Sequence, residues 1–208
     1  MPSGSWHHAF HTLEAYYVLS HKRTPYDMVS PFTSEAEAMA YEKATLPKII
    51  ADAPLPKAAT KHNDLEMLQA AQTIARYSYD YNFQTGVSLG KKQRKAYAFL
   101  TAAWNKIVPF QTYALHHGAA RERYFSPPHD LNHYDTVHAE VELVIKAAQE
   151  GIDLADTTVF INLLPCPACS RMLADTPIKE LVYRADHSNG YAIKMLEQAG
   201  KTVRRLVV

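Results

Sequence analysis

The last third of the chain constrains the fold most. HAEVELVIKAAQEG has an apolar helical face and stops at Gly151. TTVFINL is a buried-strand run, CPACSRMLAD a short helix, ELVYR a strand, NGYAIKMLEQAG a helix ending at Gly200, and KTVRRLVV a strand. Strand and helix alternate, and such alternation builds a sheet with parallel strands covered by helices. The connection from ELVYR to KTVRRLVV runs through a helix, so those two strands are expected to be parallel neighbours.

Upstream the pattern is less regular. In LEAYYVLSHKR the aromatic and branched run YYVL reads as a short strand. SPFTSEAEAMAYEKA reads as a helix, with Ser34 at the N-cap and Glu35 and Glu37 in the first turn. ADAPLPKAATKHND carries two prolines among small and polar residues and reads as a linker. This divides the chain into a segment 1–60, small α/β or partly extended and of unassigned role, and a domain over 64–208. From Asp64, a plausible N-cap, DLEMLQAAQTIARYSYDY has helical spacing. KAYAFLTAAWNKIVPFQTYALHHG allows a helix through Trp104. It also allows a hairpin of AYAFLTA and IVPFQTYAL around Trp104-Asn105-Lys106, with Pro109 on an edge. AARERYFSPPHDLNHYD reads as a loop.

With 208 residues, 47% hydrophobic and 21% charged, the chain can bury a core without cross-links. Lys plus Arg is 22 and Asp plus Glu is 21, so a strongly basic nucleic-acid footprint is absent. No apolar run is long enough to span a bilayer, and the first thirty residues lack a signal-peptide layout. The two cysteines make no disulfide framework, which points to a reducing cytoplasm.

Those two cysteines lie in Pro165-Cys166-Pro167-Ala168-Cys169, and 24 residues separate this motif from His138-Ala139-Glu140. One His and two Cys make three ligands and leave a fourth position for water, the plan of a catalytic zinc site. Glu140 stands at the start of the same helix as His138, placed to exchange protons with that water. The helix N-terminus at Cys166 favours thiolate. A redox dithiol leaves His138 and Glu140 unexplained. A closed structural zinc needs a fourth ligand, for which His133 or His187 is available.

H-x-E followed by P-C-x-x-C is the signature of zinc nucleobase deaminases. The chain resembles the cytidine and deoxycytidylate deaminase superfamily through HAEVELVIKAAQEG, TTVFINLLPCPACSRML and ELVYR. GYAIKMLEQAGKTVRRL resembles the closing helix and strand of deoxycytidylate-type members. The resemblance implies a three-layer α/β/α sandwich with a five-stranded mixed sheet whose last two strands are parallel. It implies Zn2+ on His138, Cys166 and Cys169, with Glu140 as the catalytic proton carrier. The backbone amides of Ala139 and Cys166, beside Pro165, would hold substrate. The reaction it implies is hydrolytic deamination of a cytosine nucleoside or nucleotide in a homo-oligomeric, cytoplasmic enzyme of nucleotide metabolism. A deaminase of a base within RNA or single-stranded DNA is one alternative; a non-catalytic zinc-fold binding module is another. Relatives carry a sugar-binding asparagine at the end of the second strand. ALHHGAARERY, placed there, has none, which leaves His116 and His117 as substrate contacts. Leu164 stands where relatives often have serine or glutamate. Trp104 and Phe125 are candidates for base stacking, His129 and His133 for the pocket rim. HHAFH reads as a solvated terminus. Lys91, Lys92, Arg94, Lys95, Arg121, Arg123, Lys201, Arg204 and Arg205 form charge clusters with a possible phosphate contact among them.

Overall fold

A computed structural model of the chain describes residues 14–25, 30–80, 84–120, 124, 135–186 and 190–207. In chain order the first elements are α1 (Glu14–Lys22), α2 (Glu35–Ala51), β1 (Lys61–His62), α3 (Asp64–Ala75), β2 (Gly86–Gln93), β3 (Ala96–Trp104), β4 (Lys106–Ile107) and α4 (Tyr113–His117). There follow β5 (Thr136–Val137), α5 (Ala139–Gln149), β6 (Thr157–Leu163), α6 (Pro167–Ala174), β7 (Glu180–Ala185), α7 (Tyr191–Gln198) and β8 (Thr202–Arg205). These elements group into two compact units. One comprises Met1–Asp52, Tyr79–Phe83 and Lys106–Val137; the other comprises Ala53–Ser78, Gln84–Asn105 and His138–Val208. The grouping is not a single cut near residue 60, because 106–137 clusters with the N-terminal segment.

The larger unit is a three-layer α/β/α sandwich. Its sheet runs β1-β3-β2-β6-β7-β8. The first four strands pair antiparallel, and β6, β7 and β8 run parallel. The expected parallel pairing of ELVYR with KTVRRLVV is therefore present. The sheet has six strands where five were expected, because Lys61–His62, within the expected linker, pairs with Tyr97 and Ala98 at the edge.

Alternation along the strands divides the core into two layers. Val87, Leu89, Val159, Ile161, Leu181 and Tyr183 face Leu143 of α5, Leu173 of α6 and Leu196 of α7. Tyr97, Phe99, Phe160 and Val182 face Met67, Ala70 and Ile74 of α3. Each large side chain so buried stabilises by about 1.5–3 kcal/mol relative to exposure. The rings of Tyr97 and Phe160 meet edge to face, with centroids 4.9 Å apart.

Helix α3 starts one residue earlier than expected. Its N-cap is Asn63, and Asn63 and Glu66 form a reciprocal capping box. The ambiguous stretch resolves as a strand, β3, but its hairpin partner is the preceding β2, not the segment after Trp104. A two-residue turn joins them, with Arg94 at φ 58° and Gln93 opposite Ala96. GVSLGKKQ gives little strand signal because two of its eight residues are glycines required by close packing. A Cβ on Gly86 would lie 2.1 Å from the Ala71 carbonyl oxygen, and one on Gly90 would lie 2.9 Å from the Met67 methyl carbon.

The smaller unit is mostly helical among its described residues. YYVL belongs to helix α1, not to a strand; Glu14 in its first turn and His21 and Lys22 in its last complement the helix dipole. Ser34 caps α2 as expected, accepting from the Glu37 amide. YALHH forms the short helix α4, and the Thr112 hydroxyl before it donates to the Ala38 carbonyl of α2 at 2.9 Å. β4 and β5 form a two-stranded ladder.

Candidate metal centre

Three ligand-bearing side chains converge within the larger unit. His138 is the extended residue that opens α5, with φ −65° and ψ 150°. Cys166 occupies the same position before α6, and Pro167 follows it where its missing N–H costs nothing. Cys169 sits one turn further on, so its side chain returns to the helix start. β6 feeds this turn directly, and the Leu164 amide donates to the Ala185 carbonyl at 2.8 Å, fixing where the strand ends.

His138 Nδ1 lies 3.5 Å from Cys166 Sγ and 3.3 Å from Cys169 Sγ. All three ligand atoms lie within 4.8 Å of one another, and both cysteines are free thiols. The Cys169 amide donates to Cys166 Sγ at 3.5 Å. Zinc–sulfur and zinc–nitrogen bonds of tetrahedral sites put adjacent ligand atoms roughly 3.5–3.8 Å apart. The donor set therefore fits a zinc ion, with one further coordination position not supplied by these three residues.

The electrostatics favour deprotonated sulfur at the helix start. Cys169 donates a hydrogen bond to Cys166 and lowers its thiol pKa to about 3, aided by His138. The Cys169 thiol is raised in turn, first by that same bond to Cys166 and then by burial. Glu140 projects from the first turn of α5 and is 3% exposed. Burial raises its carboxyl to about 7, against the lowering influence of its own backbone amide, His138 and a hydrogen bond with Cys169. A carboxyl at that value can both take and give a proton near neutral pH.

Ala139 and Pro165, at the two helix starts, are buried. Leu164 is buried in the core layer with Val159 and Ile161. His116 and His117 stand on α4 in the smaller unit. His116 Nδ1 lies 2.6 Å from the Ser30 hydroxyl, and His117 Nε2 lies 2.9 Å from the Glu35 carboxylate. Trp104 packs against Tyr77 in the α3-side layer. HHAFH, Arg121, Arg123, Phe125, His129, His133 and His187 lie outside the described residues.

Asn105 was overlooked. It immediately follows β3, the second long strand, which is the place the resemblance reserves for a sugar-binding asparagine. Its side chain accepts from the Thr85 amide at 2.9 Å, its carbonyl accepts from the Ser78 hydroxyl at 2.8 Å, and it is 4% exposed. AAWN carries an asparagine at the end of β3, whereas a second strand extended past Trp104 ends at ALHHGAARERY.

H-x-E and P-C-x-x-C, here brought together at two helix starts, form the residue signature of zinc nucleobase deaminases. Residues 123–207 match the family model for MafB19-like deaminases. The chain is 38% identical over 47 residues to the deoxycytidylate deaminase of Enterobacteria phage T2, covering 23% of this chain and 25% of that protein. It is 32% identical over 85 residues to a probable deoxycytidylate deaminase of Caenorhabditis elegans, covering 39% of this chain and 42% of that protein. The match thus spans less than half the length of these relatives. The dCMP deaminase of cyanophage S-TIM5 superposes with a TM-score of 0.51 at 20% identity, over 69% of this chain and 96% of that one. The guanine deaminase of Nitrosomonas europaea superposes with a TM-score of 0.50 at 14% identity, over 76% and 84%. Residues 123–207, about two fifths of the chain, are thus similar to deaminases, and the larger unit shares their fold.

Proposed function

We propose that the chain is a zinc-dependent hydrolase that removes the amino group of a cytosine nucleoside or nucleotide. The observation that carries this reading is the meeting of His138, Cys166 and Cys169 with the buried Glu140 on the first turn of the same helix as His138. When bound, zinc supplies a Lewis acid that lowers the pKa of a water to about 7. The chain's own residues do the rest. His138 offers Nδ1, and Cys166 and Cys169 offer sulfur. Glu140 takes a proton from the attacking water and delivers one to the departing nitrogen. Water adds its oxygen to the amidine carbon of the base, the carbon–nitrogen bond breaks, and ammonia leaves. The amides of Ala139 and Cys166, beside Pro165, orient the base, and Asn105 positions the sugar.

A cytosine nucleotide is preferred because the curated relatives named above are deoxycytidylate deaminases. In addition, the cyanophage dCMP deaminase has been solved in complex with dCMP and dUMP. The helix α7 and strand β8 that close the fold are those the deoxycytidylate-type pattern calls for. We take the working unit to be a homo-oligomer in the cytoplasm, as the resemblance implies; among the described residues no helix is long and apolar enough to cross a membrane. The test is an ammonia-release screen of the zinc-loaded protein on cytidine, deoxycytidine, their monophosphates, adenosine, guanine and short single-stranded oligonucleotides. Release from a cytosine mononucleotide is expected. Turnover of oligonucleotides alone, or of guanine alone, overturns the substrate assignment.

A further inference from the structure

A second cleft opens in the larger unit, on the side of the sheet away from α5 and α6. It has a volume of about 380 Å³ and lies between the C-terminal end of α3 and the C-terminal ends of β6 and β7. Strand alternation sets its wall. Phe160 and Val182 face α3, so Asn162 and Arg184, two residues on, fall on the same face. Arg76, the C-cap of α3, stands across from them, and Gln72 and Gln84 complete the polar lining.

The charge of this cleft is unbalanced. It holds two guanidinium groups and three side-chain amides, and no carboxylate lines it among the described residues. Arg204 of the same unit meets the carboxylates of Asp64 and Glu180. Arg184 faces a neutral partner instead: with the Gln72 amide turned so that its oxygen points to the guanidinium, that oxygen accepts from Nε and a terminal nitrogen. That contact orients the guanidinium without cancelling its charge. Asn162 fixes the opposite lip: its Oδ1 accepts from the Gly86 amide at 2.9 Å, and its Nδ2 donates to the Gln84 carbonyl at 2.8 Å. Two forked donors on a braced wall match the oxygens of a phosphoryl group. The volume falls in the range of small-molecule sites. A concave pocket suits a terminal phosphate better than the running backbone of a strand.

We propose that the Arg76–Arg184 cleft, whose lining includes none of His138, Glu140, Cys166 and Cys169, is a ligand site that binds the phosphoryl group of a small phosphorylated molecule such as a nucleotide. The site stands on its own geometry and does not depend on the reaction proposed above. Its test reads binding and not turnover.

The experiment is calorimetric titration of inorganic pyrophosphate into the full-length protein. The variants are Arg76→Gln, Arg184→Gln, the double variant and, as a metal-centre control, Glu140→Gln. The wild type and Glu140→Gln should bind alike. Each single arginine variant should weaken binding about tenfold, the worth of one charge-assisted hydrogen bond, and the double variant more. Thermal melting confirms that the variants fold, and the single variants carry the test if the double variant does not. Competition distinguishes the phosphate source. A deoxynucleoside monophosphate should displace pyrophosphate, and the unphosphorylated nucleoside should not. No binding by the wild type, or affinity in both single variants within twofold of wild type, overturns the site. Displacement only by an oligonucleotide without terminal phosphates overturns its assignment to a small ligand.

Discussion

His138 Nδ1 lies 3.3 Å from Cys169 Sγ, although 31 positions separate the two residues. A whole helix and the strand β6 intervene, and both must pack before the ligands meet. Any metal these side chains hold would therefore be coupled to folding of the sheet.

Zinc content tests that coupling. Cys166→Ser and His138→Ala should each reduce bound zinc from about one per chain to near zero, by the stoichiometry of a three-residue site. Metal analysis of purified protein is the readout. Chelation of the wild type should also lower its melting temperature, because metal bound only by the native state stabilises it.

Glu140→Gln preserves size and removes the proton carrier. It should keep zinc and lose at least about a hundredfold in ammonia release, within the range of general acid–base contributions. Unchanged turnover would sink the role assigned to Glu140.

Acid stability should report Asp64. Its carboxyl accepts from Arg204 Nη1 at 2.9 Å, and this bond holds its pKa below the usual carboxylate range. A group with a depressed native pKa stabilises the fold above its unfolded pKa. That contribution is lost as pH falls through the native value. Asp64→Asn should thus cost stability at neutral pH and flatten the acid limb of a stability–pH curve below about pH 4. Both partners are about a third exposed, so the cost should be modest, ~0.5–1 kcal/mol in denaturant titration.

The start of α3 rests on two reciprocal bonds. The Glu66 amide donates to Asn63 Oδ1 at 3.0 Å, and the Asn63 amide donates to Glu66 Oε2 at 2.9 Å. Asn63→Ala should destabilise by about 1 kcal/mol, measured by denaturant unfolding at neutral pH.

Gly86→Ala should be more damaging. Its new methyl would collide with the Ala71 carbonyl and the Ala75 amide nitrogen, both backbone atoms of α3. A loss of ~1–3 kcal/mol follows from overpacking, and a melting temperature equal to wild type would show that α3 and β2 can separate freely.

Much of the fold and the centre of the site lay in local patterns. Helical spacing and stop glycines marked α5 and α7, short apolar runs marked β6 and β7, and H-A-E with P-C-x-x-C marked the residues that could hold a metal. Each of these signals spans a few residues and survives without knowledge of partners. YYVL misled because aromatic and branched residues suit a strand wherever a sheet accepts them, and here the charged ends of α1 prevailed. β2 escaped notice because close approach to α3 demanded glycines, which erase the very pattern that identifies a strand.

Sequence alone determined the chemistry on offer: which residues can bind zinc, which can carry a proton, and the parallel helix-covered half of the sheet. Tertiary structure decided the rest. It paired β3 with β2, and so placed Asn105, not His116 or His117, at the end of the second strand. It buried Glu140, and burial is what moves its carboxyl toward neutrality. It set Arg76 and Arg184 across one cleft with no acid among the described residues that line it. Pairing, burial and uncompensated charge are relations between residues far apart in sequence, and they exist only once the layers have packed.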